Sequence, residues 1–67
     1  MDPSTAIEAL RTAGMTEKAI GALVGVGQPT INRIRHGDMT PNYVLGKALV
    51  DLAESMGGGE EPSVNAA

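Results

Sequence analysis

The sequence predicts an all-α domain, a compact bundle of four, or at most five, short helices containing a helix-turn-helix. Three observations predict it. Glycine, proline and Thr/Asp punctuation divides residues 1–56 into four segments of helical length. Within those segments apolar residues recur three and four apart, the period of a helix with one buried face. Nothing competes as a strand: Tyr43 is the one aromatic residue, and no run of β-branched residues alternates with polar ones.

The first helix starts at Asp2 and Pro3, a capping residue followed by proline at a position where no intrahelical amide bond is lost. Ile7 and Leu10 mark its inner side, and Gly14 stops it. Thr16 caps the second helix, whose inner stripe is Ala19, Ile20, Leu23 and Val24. Gly25 suits the left-handed residue that ends a helix. Gly27 opens the third helix, with Gln28 and Pro29 in its first turn, where the amides lack helical acceptors and proline costs nothing. Ile31 and Ile34 turn inward and Gly37 ends the element. The fourth helix is expected to start at the pair Thr40 and Pro41. Its inner side is expected to carry Val44, Leu45, Ala48, Leu49, Leu52 and Met56. Met15 is expected to cover the gap between the first two helices. Residues 57–67, with Glu60, Glu61 and no base, read as a flexible acidic tail beyond a 1–56 domain.

Sixty-seven residues allow one domain with a small core. The chain has no cysteine and a single histidine, His36, which predicts no disulfide, no metal and no cofactor. No apolar run approaches the ~18 residues of a membrane span, and the N-terminus lacks the pattern of a secretory signal. A cytoplasmic protein is the expectation. No nucleophile with a base, carboxylate pair or phosphate loop is recognisable, which predicts a protein that is not an enzyme. The net charge of −3 and pI near 4.8 argue against a nucleic-acid partner when taken alone. Distribution matters more: residues 28–47 hold three bases against one acid, a local net charge of +2.

The second and third helices are separated by Gly25, Val26 and Gly27 alone, which forces a steep angle between them. With Ile31 and Ile34 inside, Gln28, Pro29, Asn32, Arg33 and His36 point outward. A polar helix held out by a tight turn is the helix-turn-helix arrangement, and such a helix fits the major groove of double-stranded DNA. The Gln28 amide suits adenine, and the Arg33 fork suits O6 and N7 of guanine. Asn32 can serve a base or a phosphate. Pro29 and the Thr30 methyl offer apolar contact to a thymine methyl.

Residues 16–37, TEKAIGALVGVGQPTINRIRHG, resemble the helix-turn-helix of the phage lambda repressor and Cro family, the xenobiotic-response-element type. The shared features are Ile20, Gly25, Val26, Gln28 opening the reading helix, Ile31, Ile34 and Gly37. The segment MTPNYVLGKALVDLAESM is similar to the last helix of short phage and prophage regulators of that family, so the resemblance covers residues 3–56. It implies a Cro- or repressor-type transcription regulator that binds a palindromic operator as a homodimer in a bacterium or a phage-infected host cell. Three positions depart from the pattern. Gly21 stands where alanine is usual, and weakens the helix by up to ~1 kcal/mol. Glu17 replaces a glutamine that reaches a phosphate, which a carboxylate repels. Gly27 replaces the common Ser or Thr cap.

Phosphate contacts are expected from Arg35, His36 and Lys47, with Thr16 and Lys18 at the start of the second helix. The N-terminus of the fourth helix, at Thr40, Asn42 and Tyr43, is a further candidate because its free amides carry partial positive charge. A dimer seam is expected at Val50 and Ala53, with Leu49 and Met56 nearby; the competing reading packs Val50 on the first helix. No small-molecule ligand or membrane partner is predicted. Two other functional readings stand beside the regulator. One is a protein-interaction module on the same fold, an anti-repressor or polymerase-binding factor, favoured by Glu17 and the acidic total. The other is the antitoxin of a toxin–antitoxin pair, which keeps DNA binding and adds a protein partner.

Overall fold

The computed structural model describes residues 1–58 and is all-helical. Four α-helices follow in order: α1 (Pro3–Thr12), α2 (Glu17–Val24), α3 (Gln28–Arg35) and α4 (Tyr43–Ala53). A single π-helical turn, Glu54–Gly58, continues from α4. No strand occurs among the described residues. Gly57 and Gly58, assigned to the tail from the sequence, belong to the π-turn; residues 59–67 of the expected tail lie outside the described residues.

Local chemistry explains the boundaries. Thr16 caps α2 through its hydroxyl, which accepts the Ala19 amide at 3.0 Å. Gly25 ends α2 in the left-handed region at φ 87°, and its amide bonds back to the Gly21 carbonyl at 2.8 Å. Gly27 is the N-cap of α3, with Pro29 in the first turn. Asp2 is the N-cap of α1 by backbone geometry only: its carboxylate accepts the Thr5 hydroxyl instead of a helix amide. The start of α4 lies two residues beyond the Thr40–Pro41 pair. Asn42 is the cap, its side chain accepting the Leu45 amide at 2.8 Å, and Thr40 and Pro41 belong to the connection.

The core is Ala6, Ile7 and Leu10 of α1, Ile20 of α2, Ile31 and Ile34 of α3, and Leu49 and Ala53 of α4, all essentially closed to solvent. Each large member contributes about 1.5–3 kcal/mol of burial. Met15, Val24, Val26, Leu45, Val50 and Leu52 pack around this centre. The expected stripes are otherwise too wide. Leu23 is 63 % exposed and Val44 75 %, while Ala19 and Met56 are also exposed. A helix of eight to eleven residues in so small a bundle seals only one narrow line against its neighbours, and the flanking apolar positions stay outside. The same packing removes Leu49 and Ala53 from any dimer seam, because both are spent inside the protomer. Val50 is half-buried against the core and Met56 is open.

Two glycines allow backbones to approach. A Cβ on Gly46 would lie 3.2 Å from Pro3 Cγ, so α4 crosses the start of α1 where it carries no side chain. A Cβ on Gly21 would lie 2.5 Å from the Val26 carbonyl oxygen. The turn is folded down onto α2 at that point, and the Val26 amide bonds the Gly21 carbonyl at 2.9 Å.

Candidate nucleic-acid interface

The amino acids of α3 divide by spacing into a buried line and an open face. Ile31 and Ile34 anchor the helix, with Ile20 of α2 beside them in the core. Gln28, Pro29, Asn32, Arg33 and His36 are exposed, and Thr30 is half-buried. The three-residue connection Gly25–Gly27 leaves α3 no slack relative to α2. Ser4 of α1 secures the far end: its hydroxyl donates to the Arg35 carbonyl at 3.1 Å, one of the acceptors that a helix end leaves without partners.

Beside this face lies a charged cluster that joins three helices. The Arg35 guanidinium donates from Nε to Glu8 Oε2 of α1 and from Nη1 to Glu17 Oε2 of α2, both at 2.9 Å. Asn32 Nδ2 donates to the same Glu17 carboxylate, 3.3 Å from Oε2 and 3.4 Å from Oε1. Glu17 is only 6 % exposed, so burial alone would favour its neutral form. The hydrogen bond from Arg35 outweighs that penalty, with Asn32 adding to it, and its carboxyl is held below the ordinary carboxylate range. Arg35 is in turn held more firmly protonated, by Glu8 first and Glu17 second.

Two expected roles meet competition inside the protomer here. Arg35 already donates from Nε and Nη1 to carboxylates, which leaves Nη2 as the guanidinium nitrogen without a protein partner among the described residues. Glu17 is not a bare charge facing a phosphate, since Arg35 neutralises it and the fold covers it. Spacing carried the signal. Arg35 stands four residues after Ile31 and one after Ile34, which places it on the inward flank of α3. Glu8 and Glu17 are the positioning residues that the sequence reading missed.

Glu17 also makes the fold acid-sensitive in a calculable direction. A carboxyl depressed in the folded state contributes stability that is fully present above its ordinary value of 4.5 and is lost as pH falls through the lower folded value. Asp2, lowered by the Thr5 hydroxyl, acts in the same sense. Thermal melts followed by circular dichroism should fall in midpoint below about pH 4.5. Glu17→Gln should flatten that acid limb; an acid limb as steep as the parent's would remove Glu17 as its source.

The remaining cations differ in availability. Arg11, Lys18 and Arg33 make no ion pair among the described residues. Lys47 is held by Asp51 one turn on at 3.0 Å, a surface pair that exchanges easily. Thr16 spends its hydroxyl oxygen on the α2 cap and Asn42 its side-chain oxygen on the α4 cap. With Asn42 as cap, the free first-turn amides of α4 are those of Tyr43 and Val44, one residue beyond the Asn42 and Tyr43 amides expected from a start at Thr40 and Pro41. Thr40 and Tyr43 are exposed. Tyr43, Lys47 and Val50 line a groove of about 540 Å³ with Pro3, Pro41 and Gly46. No helix among the described residues is long and apolar enough to cross a membrane, and no group of three or more His, Cys, Asp or Glu is placed to hold a metal ion there. No protein-family model matches the chain, and neither a curated protein nor a solved structure does.

Proposed function

We propose that the chain is a sequence-specific double-stranded-DNA-binding regulator of the Cro or repressor type, acting as a homodimer that occupies a palindromic operator. One observation carries the reading. The short α3, pinned by Ile31 and Ile34 behind a three-residue turn, holds Gln28, Pro29, Asn32 and Arg33 together on one solvent-facing side. A helix of this kind fits the major groove, where an amide and a guanidinium distinguish base pairs. Gln28 and Arg33 read bases, and Pro29 and the Thr30 methyl make apolar contact. Lys18, His36 and the first-turn amides of α4 hold the backbone.

Few cations remain once Arg35 is spent, so a single protomer binds weakly. Two copies with reading helices about 34 Å apart double the contacts. Val50 and Met56 are the accessible members of the expected seam. With about four to six phosphates neutralised per dimer, log affinity should fall against log salt with a slope of about −4 to −5. Fluorescence anisotropy on duplexes selected from a random pool tests both parts. Arg33→Ala should lower affinity for the selected duplex by about tenfold or more and flatten preference at one base pair. Lys18→Ala should weaken all duplexes alike. Equal losses on selected and random DNA for Arg33→Ala remove it as a reader, and failure of the parent to bind any duplex at low salt removes the proposal.

A protein-binding module is the second reading, favoured by the exposed Tyr43 and Val44, 79 % and 75 % open, beside the α4 groove. Aromatic and apolar anchors of that kind characterise protein interfaces. Retention of a protein partner by a chain that ignores DNA would favour it.

A further inference from the structure

We infer that Glu17 sets the orientation of the Asn32 amide, so that α3 presents Asn32 Oδ1 outward and selects an amine-bearing base, adenine or cytosine, on the strand it faces. This rests on the DNA-binding reading and specifies what one position of that site would recognise.

The argument starts from the two groups. An ionised carboxylate only accepts hydrogen bonds, whereas a primary amide has a donating and an accepting side. Asn32 Nδ2 lies 3.3 Å and 3.4 Å from the two oxygens of Glu17. The opposite rotamer of the amide would set Oδ1 against those oxygens, three acceptors with no proton between them. Arg35 holds the carboxylate in place at 2.9 Å. Glu17 is nearly closed to solvent while Asn32 remains open, so the restraint comes from within the fold and the restrained group faces outward.

The consequence for recognition follows from the edges of base pairs. In the major groove adenine offers its N6 amine and cytosine its N4 amine, whereas guanine and thymine offer carbonyl oxygens at the equivalent positions. An outward Oδ1 accepts from either amine and is repelled by either carbonyl. The second hydrogen on Nδ2 stays available for N7 of adenine, which places adenine ahead of cytosine. An asparagine without Glu17 could turn its amide over and accept all four bases.

Selection from random duplexes with the full chain and two variants tests this, together with the side-chain amide resonances of Asn32 in solution. The parent should show one position where adenine and cytosine exceed guanine and thymine by about tenfold. Asn32→Ala should reduce that preference to under about twofold and leave the Arg33-dependent position intact. Glu17→Gln should relax or reverse it toward guanine and thymine, because a glutamine amide can donate to Asn32 Oδ1 and turn it inward. Nuclear Overhauser contacts from the Asn32 amide protons to the residue 17 methylenes should be present in the parent and weaken in Glu17→Gln without DNA, a readout of orientation that needs no duplex. A preference insensitive to Asn32→Ala, or unchanged in Glu17→Gln, overturns the inference while leaving DNA binding standing. A parent that binds no duplex overturns both.

Discussion

Replacing Ile31 with alanine is expected to cost about 2–5 kcal/mol of folding stability, enough to leave much of the chain unfolded at room temperature. Ile31 is closed to solvent and belongs to the one cluster that includes residues of all four helices. Its removal leaves a cavity that neighbours fill only in part, because α3 is tied at one end by the short turn and at the other by Ser4 and Arg35. A domain under about 70 residues draws only some 3–5 kcal/mol from its core, so one deletion of this kind uses most of the margin. Ile31→Val, which removes a single methylene, should cost about 0.5–1.5 kcal/mol and keep a cooperative melt. Denaturant titration followed by circular dichroism measures both. An Ile31→Ala protein that melts within a few degrees of the parent would show that the α2–α3 contact contributes little.

Gly21→Ala should destabilise the protein even though alanine is the better helix former. Propensity alone favours the change by about 1 kcal/mol. Against it, the new methyl would arrive 2.5 Å from the Val26 carbonyl oxygen and 3.3 Å from the Gly27 carbonyl carbon and oxygen. These are backbone atoms of a turn whose amides are already bonded to the Gly21 carbonyl, so the turn must lift as a unit. Relief of such overlap costs about 3 kcal/mol, leaving a net loss of about 2 kcal/mol and a fall of roughly 10 °C in melting midpoint. Gly46→Ala is the internal comparison: its methyl meets Pro3 Cγ at 3.2 Å, a contact that a small shift relieves. Gly21→Ala should therefore be the worse of the two. The opposite order would show that the turn is more compliant than its bonding implies.

Much of the helical plan was legible because it is written locally. Thr16, Gly25 and Gly27 act on amides within a few residues, and each occupies its expected place in a cap or turn. The start of α4 was misplaced because two capping residue types, Thr40 and Asn42, flank Pro41, and Asn42, not Thr40, accepts from an amide three residues on. Core membership was legible at Ile7, Leu10, Ile20, Ile31 and Ile34, but not at Leu23 or Val44. Periodicity gives the direction of a stripe; its width depends on how many neighbours a small bundle supplies. The exposed side of α3 at Gln28, Pro29, Asn32, Arg33 and His36 was legible for the same reason. The Glu8–Arg35–Glu17–Asn32 cluster was not. Its bonded pairs are 15 to 27 residues apart, and only the packing of three helices brings them within bonding distance.

The two-armed grip of Arg35 has a consequence for portability. The outward helix takes its bearing from α1 as well as from its partner across the turn, through Glu8 and Ser4. The stretch 16–37 is therefore not a self-sufficient cassette. Transplanted into another scaffold without a carboxylate and a hydroxyl at the matching places, it would keep its letters and lose its aim.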